Sequence, residues 1–458
     1  MRKASPQHVS GRREFLKAVA AQPIQWAAVG AEPETPVEIT HPLASDFQVI
    51  CRSPDPKRIY TRSPGICRLE IGRLVFTMEY SQGALRRVPG MRQTADGKFY
   101  RGRALVSDDG GKTVRETGAH PLYQARPFEA GGRLYILGHY DDLGVIVSEN
   151  NGETWSEVSW LTQGQEWHQA PCNVRYAHGR IYLVMERHTA LNRKAWPVFS
   201  IAPVVLSAPL NADLTQRDAW TFSNELSYRA CVEQIGRPNA IGVPFYSIGP
   251  TVQGKTGMDS RPMAPAGWLE TNLVSFPDPD HLWHDPEDRT MYLWMRAHTG
   301  LTNLACIAKA IESADGTITV QPASAPSGEP MLYVPCPGGH LKFYVLYDEV
   351  TKLFWLASNQ STDSMTRPDR LPENRYYLPD NERHRLALHF SKNCMDWCFA
   401  GIVDKTDDPR QSRNYPSMAI DGDDLLVLAR SGDDRAVNAH EGNLITLHRI
   451  HDFRRLVY

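Results

Sequence analysis

The sequence predicts an all-β protein, a β-propeller of four-stranded antiparallel blades, on three observations. Short apolar strands recur in hairpins along most of the chain. A Ser-x-Asx turn motif repeats three times just after such a strand. No stretch carries a sustained helical period. Hairpins spaced by about 45 residues suit one four-stranded blade each. The composition agrees: 41% hydrophobic residues, with 11 Trp and 18 Tyr, are enough to fill a large β core. A net charge of −2 argues against nucleic-acid binding, which usually needs a basic face. No apolar run is long enough to span a membrane as a helix. The eight cysteines are scattered. Cys394 and Cys398 lack the second pair or the His spacing of a zinc site, so no metal or other cofactor is expected.

The turn motif is clearest at Ser148-Glu149-Asn150-Asn151-Gly152-Glu153-Thr154-Trp155. Shorter copies stand at Ser107-Asp108-Asp109-Gly110-Gly111-Lys112-Thr113 and at Ser391-Lys392-Asn393-Cys394-Met395-Asp396-Trp397. Asn and Asp tolerate left-handed backbone angles and bond their own main chain, and Gly takes positive φ. The Trp then restarts a strand over a buried indole.

Taken in order, residues 1–35 read as an export segment rather than as part of the fold. Arg12-Arg13-Glu14-Phe15-Leu16-Lys17 has the form of a twin-arginine signal. A modestly apolar stretch and a small-residue cleavage site at Val29-Gly30-Ala31 follow. A periplasmic or secreted location is therefore expected, with residues 36–458 as a single propeller domain. The hairpins then follow at Ile66–Glu79, Gly132–Leu137, Gly179–Val184, Arg289–Trp294, Thr351–Leu356 and Gly422–Val427. Six hairpins predict six blades, and a seventh hidden between Ser223 and Gly267 is the alternative.

In a propeller the inner strands converge on a central channel, so candidate residues lie at the ends of each blade's first two strands. Those positions hold Arg62 and Glu79, then His139 and Tyr140, and then His168, Glu186, Arg187 and His188. The later blades place there Glu270 and Arg296, then His340, Lys342 and Asn359, and finally Tyr415, Arg430 and His440. Arginines among them suit a carboxylate, whose two oxygens match the guanidinium fork. Arg62, Arg187, Arg296 and Arg430 are the four at strand ends. Glu79, His188, His340, Lys342, Asn359 and His440 complete the expected binding set.

The turn motifs resemble the Asp box of the sialidase superfamily, whose members are β-propellers acting on acidic sugars. The resemblance runs from about Ser53 to Arg454. It implies a first arginine in an Arg-x-Pro context, matched by Arg62-Ser63-Pro64, and a tyrosine nucleophile paired with a glutamate. Tyr415 and Glu186 stand where that pair is expected; tyrosine is the recognised exception to the two-carboxylate rule. The chain departs from the pattern in having Ser for Ile in that triplet, and Glu79-Tyr80 where a donor aspartate would follow blade one.

A second resemblance is local. His168-Gln169-Ala170-Pro171, Gly338-Gly339-His340-Leu341-Lys342-Phe343 and His440-Glu441-Gly442-Asn443 look like sialidase-related propellers often labelled exo-sialidases. That group includes ulvan lyases and rhamnosyl-glucuronate hydrolases. For a lyase, the resemblance gives His139, Tyr140, His168, His188 and Arg187 the work of neutralising a uronate and moving its proton. The expectation is thus an exported, exo-sialidase-like glycosidase whose partner is an acidic oligosaccharide or polysaccharide. A polysaccharide lyase and a non-catalytic glycan-binding propeller are the alternatives.

Overall fold

The computed structural model describes residues 41–81, 92–93, 99–190, 198–236, 254–255, 262–263, 266–299, 302–364, 366, 370 and 382–458. The export segment expected at residues 1–35 lies outside them.

Six antiparallel sheets follow one another along the chain as six propeller blades. Blade one is built on Tyr60–Arg68, Leu74–Ser81, Phe99–Ser107 and Arg115–His120. Blade two is Tyr123–Ala130, Arg133–Tyr140, Asp142–Ser148 and Ser159–Trp160. In blade three the inner strand is broken into Trp167–His168 and Arg175–Ala177, both paired to Arg180–His188, with Ile201–Pro209 and Thr221–Phe222 outside. Blade four runs Trp268–Val274, Thr290–Ala297, Leu304–Glu312, Ile318–Ser324. Blade five runs Tyr344–Asp348, Leu353–Ser358, Arg385–Ser391, Cys398–Lys405. Blade six is Arg413–Asp421, Asp424–Ser431 and Leu444–Ile450, closed on its outer edge by Gln48–Arg52 from the other end of the chain. That exchange covers a strand edge that would otherwise be open.

The Ser223–Gly267 stretch is an insertion, not a seventh blade. Its described part holds one helix, Tyr228–Ile235, capped by the Ser227 side chain and ended by Gly236 at φ 65°, and a two-residue-strand hairpin.

The core lies in the seams between blades, because each sheet buries both faces. Phe128, Tyr135 and Leu137 of blade two meet Ile181, Leu183 and Val204 of blade three. Ile66 and Phe76 of blade one meet Leu426, Leu428 and Leu447 of blade six. Around the axis the inner strands are tied by polar links that close a ring. Thr77 Oγ1 donates to Ala125 O at 2.6 Å, Arg126 Nη1 to Asn173 O at 3.3 Å, and Asn173 Nδ2 to Leu273 O at 2.6 Å. Asn272 exchanges bonds with Phe343 O and Val345 N, Lys342 Nζ donates to Pro416 O, and Ser417 Oγ to Pro64 O at 2.7 Å.

The three Ser-x-Asx hairpins each lie between the third and fourth strands of their blade and share a Ser Oγ to Asx Oδ1 hydrogen bond, but the third is closed differently. Ser107 Oγ and Ser148 Oγ accept from the amides of Gly111 and Gly152, both at 2.8 Å. Asp109 and Asn150 accept from the amides of Thr113 and Thr154. In the third copy Asn393 accepts from Met395 and Asp396, with Cys394 at φ 56° in place of a glycine. All eight cysteines are free thiols.

Candidate active site

Four inner strands carry the same irregularity. Pairing slips between Arg62 and Gly65, Tyr123 and Arg126, Leu269 and Asn272, and Asn414 and Ser417. The residue inside each slip is non-glycine with positive φ: Ser63 at 47°, Gln124 at 51°, Glu270 at 60° and Tyr415 at 55°. A bulge adds a residue and re-aims a side chain, and holding a non-glycine residue there costs about 1 kcal/mol or more. Here that strain assembles polar side chains from separate blades at one end of the channel.

On the side of blades four to six, Tyr415 is the centre. Its hydroxyl accepts from Arg296 Nη1 at 3.2 Å, and the same nitrogen donates to Glu270 Oε2 at 3.1 Å, so Tyr415 and Glu270 meet on one guanidinium. Arg430 lies over the Tyr415 ring with its guanidinium carbon 3.9 Å from the centroid, and Arg383 lies at 5.6 Å. Arg383 and Arg430 share Asn414 Oδ1, each at 3.2 Å. Arg430 is 2% exposed, yet its Nη2 has no partner among the described residues. Burial, and then the adjacent Arg430 charge, bring Arg383 down to about 9. Burial pushes the Tyr415 hydroxyl up, so it rests protonated. Burial also works to raise Glu270, but the Arg296 charge and the neighbouring Tyr415 hydroxyl outweigh it and hold the carboxylate below its ordinary value.

The side of blades one to three has a different character. Glu186 is wholly buried and holds His168 Nδ1 at 2.8 Å, while the amide and hydroxyl of Thr271 bond its other oxygen. Gln124 links two histidines: its Oε1 accepts from His139 Nε2 at 2.8 Å and its Nε2 lies 3.4 Å from His168 Nε2. His188 stands edge-on to His168 at 5.9 Å. Burial drives His139 well below the ordinary histidine value and brings His188 to about 3, so both are neutral. Glu79 accepts from the Gln124 amide at 3.2 Å, and burial raises its carboxyl.

The structure brings Tyr415, Arg296, Arg430, His168, Glu186, His139, His188 and Glu79 to this end of the channel. It brings Tyr415 beside Glu270 through Arg296, and not beside Glu186, whose partners are His168 and Thr271. Arg187 points to the other face of its strand, over the Trp167 ring and against Glu225 at 3.0 Å. Arg62 is bound to Glu441 at 2.5 and 2.7 Å, beside His440. Asn359 is taken up by the carbonyls of Arg385 and Arg413. Lys342 lies against Ser417 and the Tyr344 ring, and burial first of all lowers it to about 8. His340 is fully buried behind Arg296, which donates to its carbonyl at 3.0 Å. Tyr140 lines a separate rim cleft with Asp142 and Trp160.

Glu270 stood among the strand-end candidates but not as the tyrosine's neighbour, while Gln124 and Arg383 lie outside the expected set. A glutamate inside the apolar run Trp268-Leu269-Glu270 was the available signal for the first. Arg383 precedes the third strand of blade five, away from the strand ends where functional side chains were sought. Among the described residues no group of three or more His, Cys, Asp or Glu could hold a metal ion.

No protein-family model and no curated protein matches the chain in sequence. Solved structures are similar to it over most of its length. An alpha-L-arabinanase of Penicillium chrysogenum, complexed with arabinobiose, is 12% identical over 92% of this chain and 100% of its own, with a TM-score of 0.47. Trypanosoma rangeli sialidase is 13% identical over 92% of this chain and 60% of its own, at 0.46. The NanB sialidase of Streptococcus pneumoniae is 12% identical over 88% and 70%, at 0.48.

Proposed function

We propose that the protein is an exported glycosidase that cleaves the bond to a carboxylate-bearing sugar, with Tyr415 as nucleophile and Glu270 as its base. The observation that carries this reading is that Tyr415 and Glu270 are held on one Arg296 nitrogen, with the buried Arg383 and Arg430 guanidiniums over the tyrosine ring. A neutral hydroxyl suits such a substrate, because a carboxylate nucleophile would meet repulsion from the sugar's own charge. Arg296, Arg383 and Arg430 supply that charge with partners, and the unpaired Nη2 of Arg430 is a ready donor. As Tyr415 attacks the anomeric carbon, its proton passes to Glu270, which Arg296 keeps ionised.

The leaving oxygen needs a proton, and this reading takes it from Nε2 of His168 in its doubly protonated form. Its Nδ1 is fixed by Glu186, leaving Nε2 to carry the exchangeable proton, as in other carboxylate-oriented histidines. Water then displaces Tyr415 from the sugar, giving its proton to His168, and Glu270 returns the first proton to the tyrosine.

One observation favours β-elimination as a second reading. In a neutral ring whose Nδ1–H is donated to Glu186, His168 Nε2 is a proton acceptor, which is what removal of a uronate C–H requires. A panel of sialyl- and uronyl-terminated oligosaccharides, read for reducing ends and near-ultraviolet absorbance, separates the two. The proposal predicts reducing ends without absorbance, and a loss of about 10²–10⁴-fold in Tyr415→Phe, Glu270→Gln and His168→Ala. An absorbing unsaturated product establishes the lyase instead. Binding without turnover across the panel rejects both.

A further inference from the structure

At the rim of the same end of the channel, blade two holds an open cleft of about 620 Å³ that the chemistry above does not use. Its walls are Tyr140, Asp141 and Asp142 at the turn between the second and third strands, and Trp160, Thr162 and Gln163 at the fourth. That size suits a small ligand, whose sites run to about 300–1,000 Å³. Among the described residues Trp160 is the most exposed tryptophan, at 40%. Its ring has room because Gly144 faces it: a Cβ there would stand 3.1 Å from Trp160 Cζ3. The loop that follows is fixed in place. Asp142 accepts from the Thr162 hydroxyl at 2.8 Å and from the amides of Gly164 and Gln165 at 2.8 and 2.9 Å.

The cleft adjoins the histidine half of the site. Tyr140 follows His139 in the chain, and the Asp141 carbonyl accepts from the amide of Trp167, the neighbour of His168, at 2.9 Å. Trp160 pairs with Gly144 and Gly144 with Gly138, so two strand spacings, about 10 Å, separate the tryptophan from the strand that carries His139. A few sugar residues cover that span, and His168 marks the side on which the leaving chain emerges in the reaction proposed above. An indole offers its π face to the C–H bonds on one side of a pyranose ring, and the exposed Gln163 side chain can bond the hydroxyls at its edge. Asp141 and Asp142 make the cleft unlike the arginine half: a second carboxylate here would meet like charge.

We propose that this cleft binds a neutral pyranose residue of the same glycan chain whose acidic end lies among Arg296, Arg383 and Arg430. The inference rests on the acidic-sugar reading of that pocket and adds the form of the substrate, a chain with an acidic tip and a neutral stem. Trp160 acts in binding, away from the reacting atoms. Because Asp142 already holds the loop, the contact costs little further ordering.

A ladder of oligosaccharides tests this, each with a sialyl or uronyl end followed by one to five neutral β-linked hexoses. Calorimetry on Tyr415→Phe, which keeps the ring and lacks the nucleophile, reads affinity without turnover. Affinity should rise about tenfold at the first rung long enough to reach Trp160, the scale of one aromatic contact, and stay level beyond it. Trp160→Ala should flatten the ladder. If that variant does not fold, oxidation by N-bromosuccinimide with Trp160 intact, read by peptide mapping, carries the test: rungs that gain affinity should slow oxidation of Trp160, and shorter ones should not. Rungs of equal affinity, a gain that survives Trp160→Ala, or oxidation that no rung slows overturns the inference and leaves the acidic-sugar reading standing. No binding at any rung overturns both.

Discussion

A carboxylate sealed inside a protein titrates as its neighbours dictate, and Glu441 and Glu79 show opposite outcomes a few side chains apart. Burial acts to raise both. At Glu441 the bond from His440 and the charge of Arg62 win, and the carboxyl falls to about 2. At Glu79 the neighbouring Ser63 and the same arginine's charge are not enough, and the carboxyl ends above its ordinary value. A carboxyl raised on folding makes the native state the better proton binder. Its contribution to stability is therefore present below the unfolded value of about 4.3 and lost as pH rises through the folded value. Glu79→Gln cannot ionise, and its amide oxygen can still accept from the Gln124 backbone. The variant's Tm should match wild type near pH 4 and exceed it by a few degrees at pH 8, measured by thermal melts across that range. A constant difference at all pH values would mean that Glu79 keeps an ordinary pKa.

Among the strands, local chemistry and long-range geometry divide the labour, and this division set what could be read from the sequence. The Ser-x-Asx hairpins were legible because each is closed by its own residues. Ser148 Oγ, for example, accepts from Gly152 four residues on. Ser148→Ala leaves that amide without its acceptor in a hairpin away from the channel. It should cost about 1 kcal/mol of stability, seen as a lower Tm, with turnover unchanged. The hairpin count likewise gave six blades, since turn residues and strand alternation are local signals. Pairings inside the channel were not legible. Tyr415 and Glu186 were both placed near the site, but which glutamate the tyrosine meets depends on the bulges at Glu270 and Tyr415. A one-residue slip in pairing redirects every side chain beyond it, and nothing in the apolar pattern of Trp268–Val274 marks where the slip falls. Arg62 and Arg187 were read as carboxylate ligands from their strand ends. Glu441 and Glu225, which occupy them, are distant in sequence.

At the scale of the molecule, radial sheets convert sequence separation into proximity. Gln48–Arg52 joins Leu444–Ile450 to close the ring, and the polar links between inner strands hold the six blades at fixed spacing about the axis. The channel's active end is thereby split into an arginine half around Tyr415 and a histidine half around Glu186. The central claim is that these halves act on one glycosidic bond, with Tyr415 taking up the sugar. Fluorinated glycosides of sialic and uronic acids slow the release of a covalent intermediate, so intact-mass analysis followed by peptide mapping reads the nucleophile directly. The account predicts one added glycosyl unit on the peptide containing Tyr415, absent from Tyr415→Phe. A sugar carried by another residue, or turnover with no adduct at any time, would contradict it.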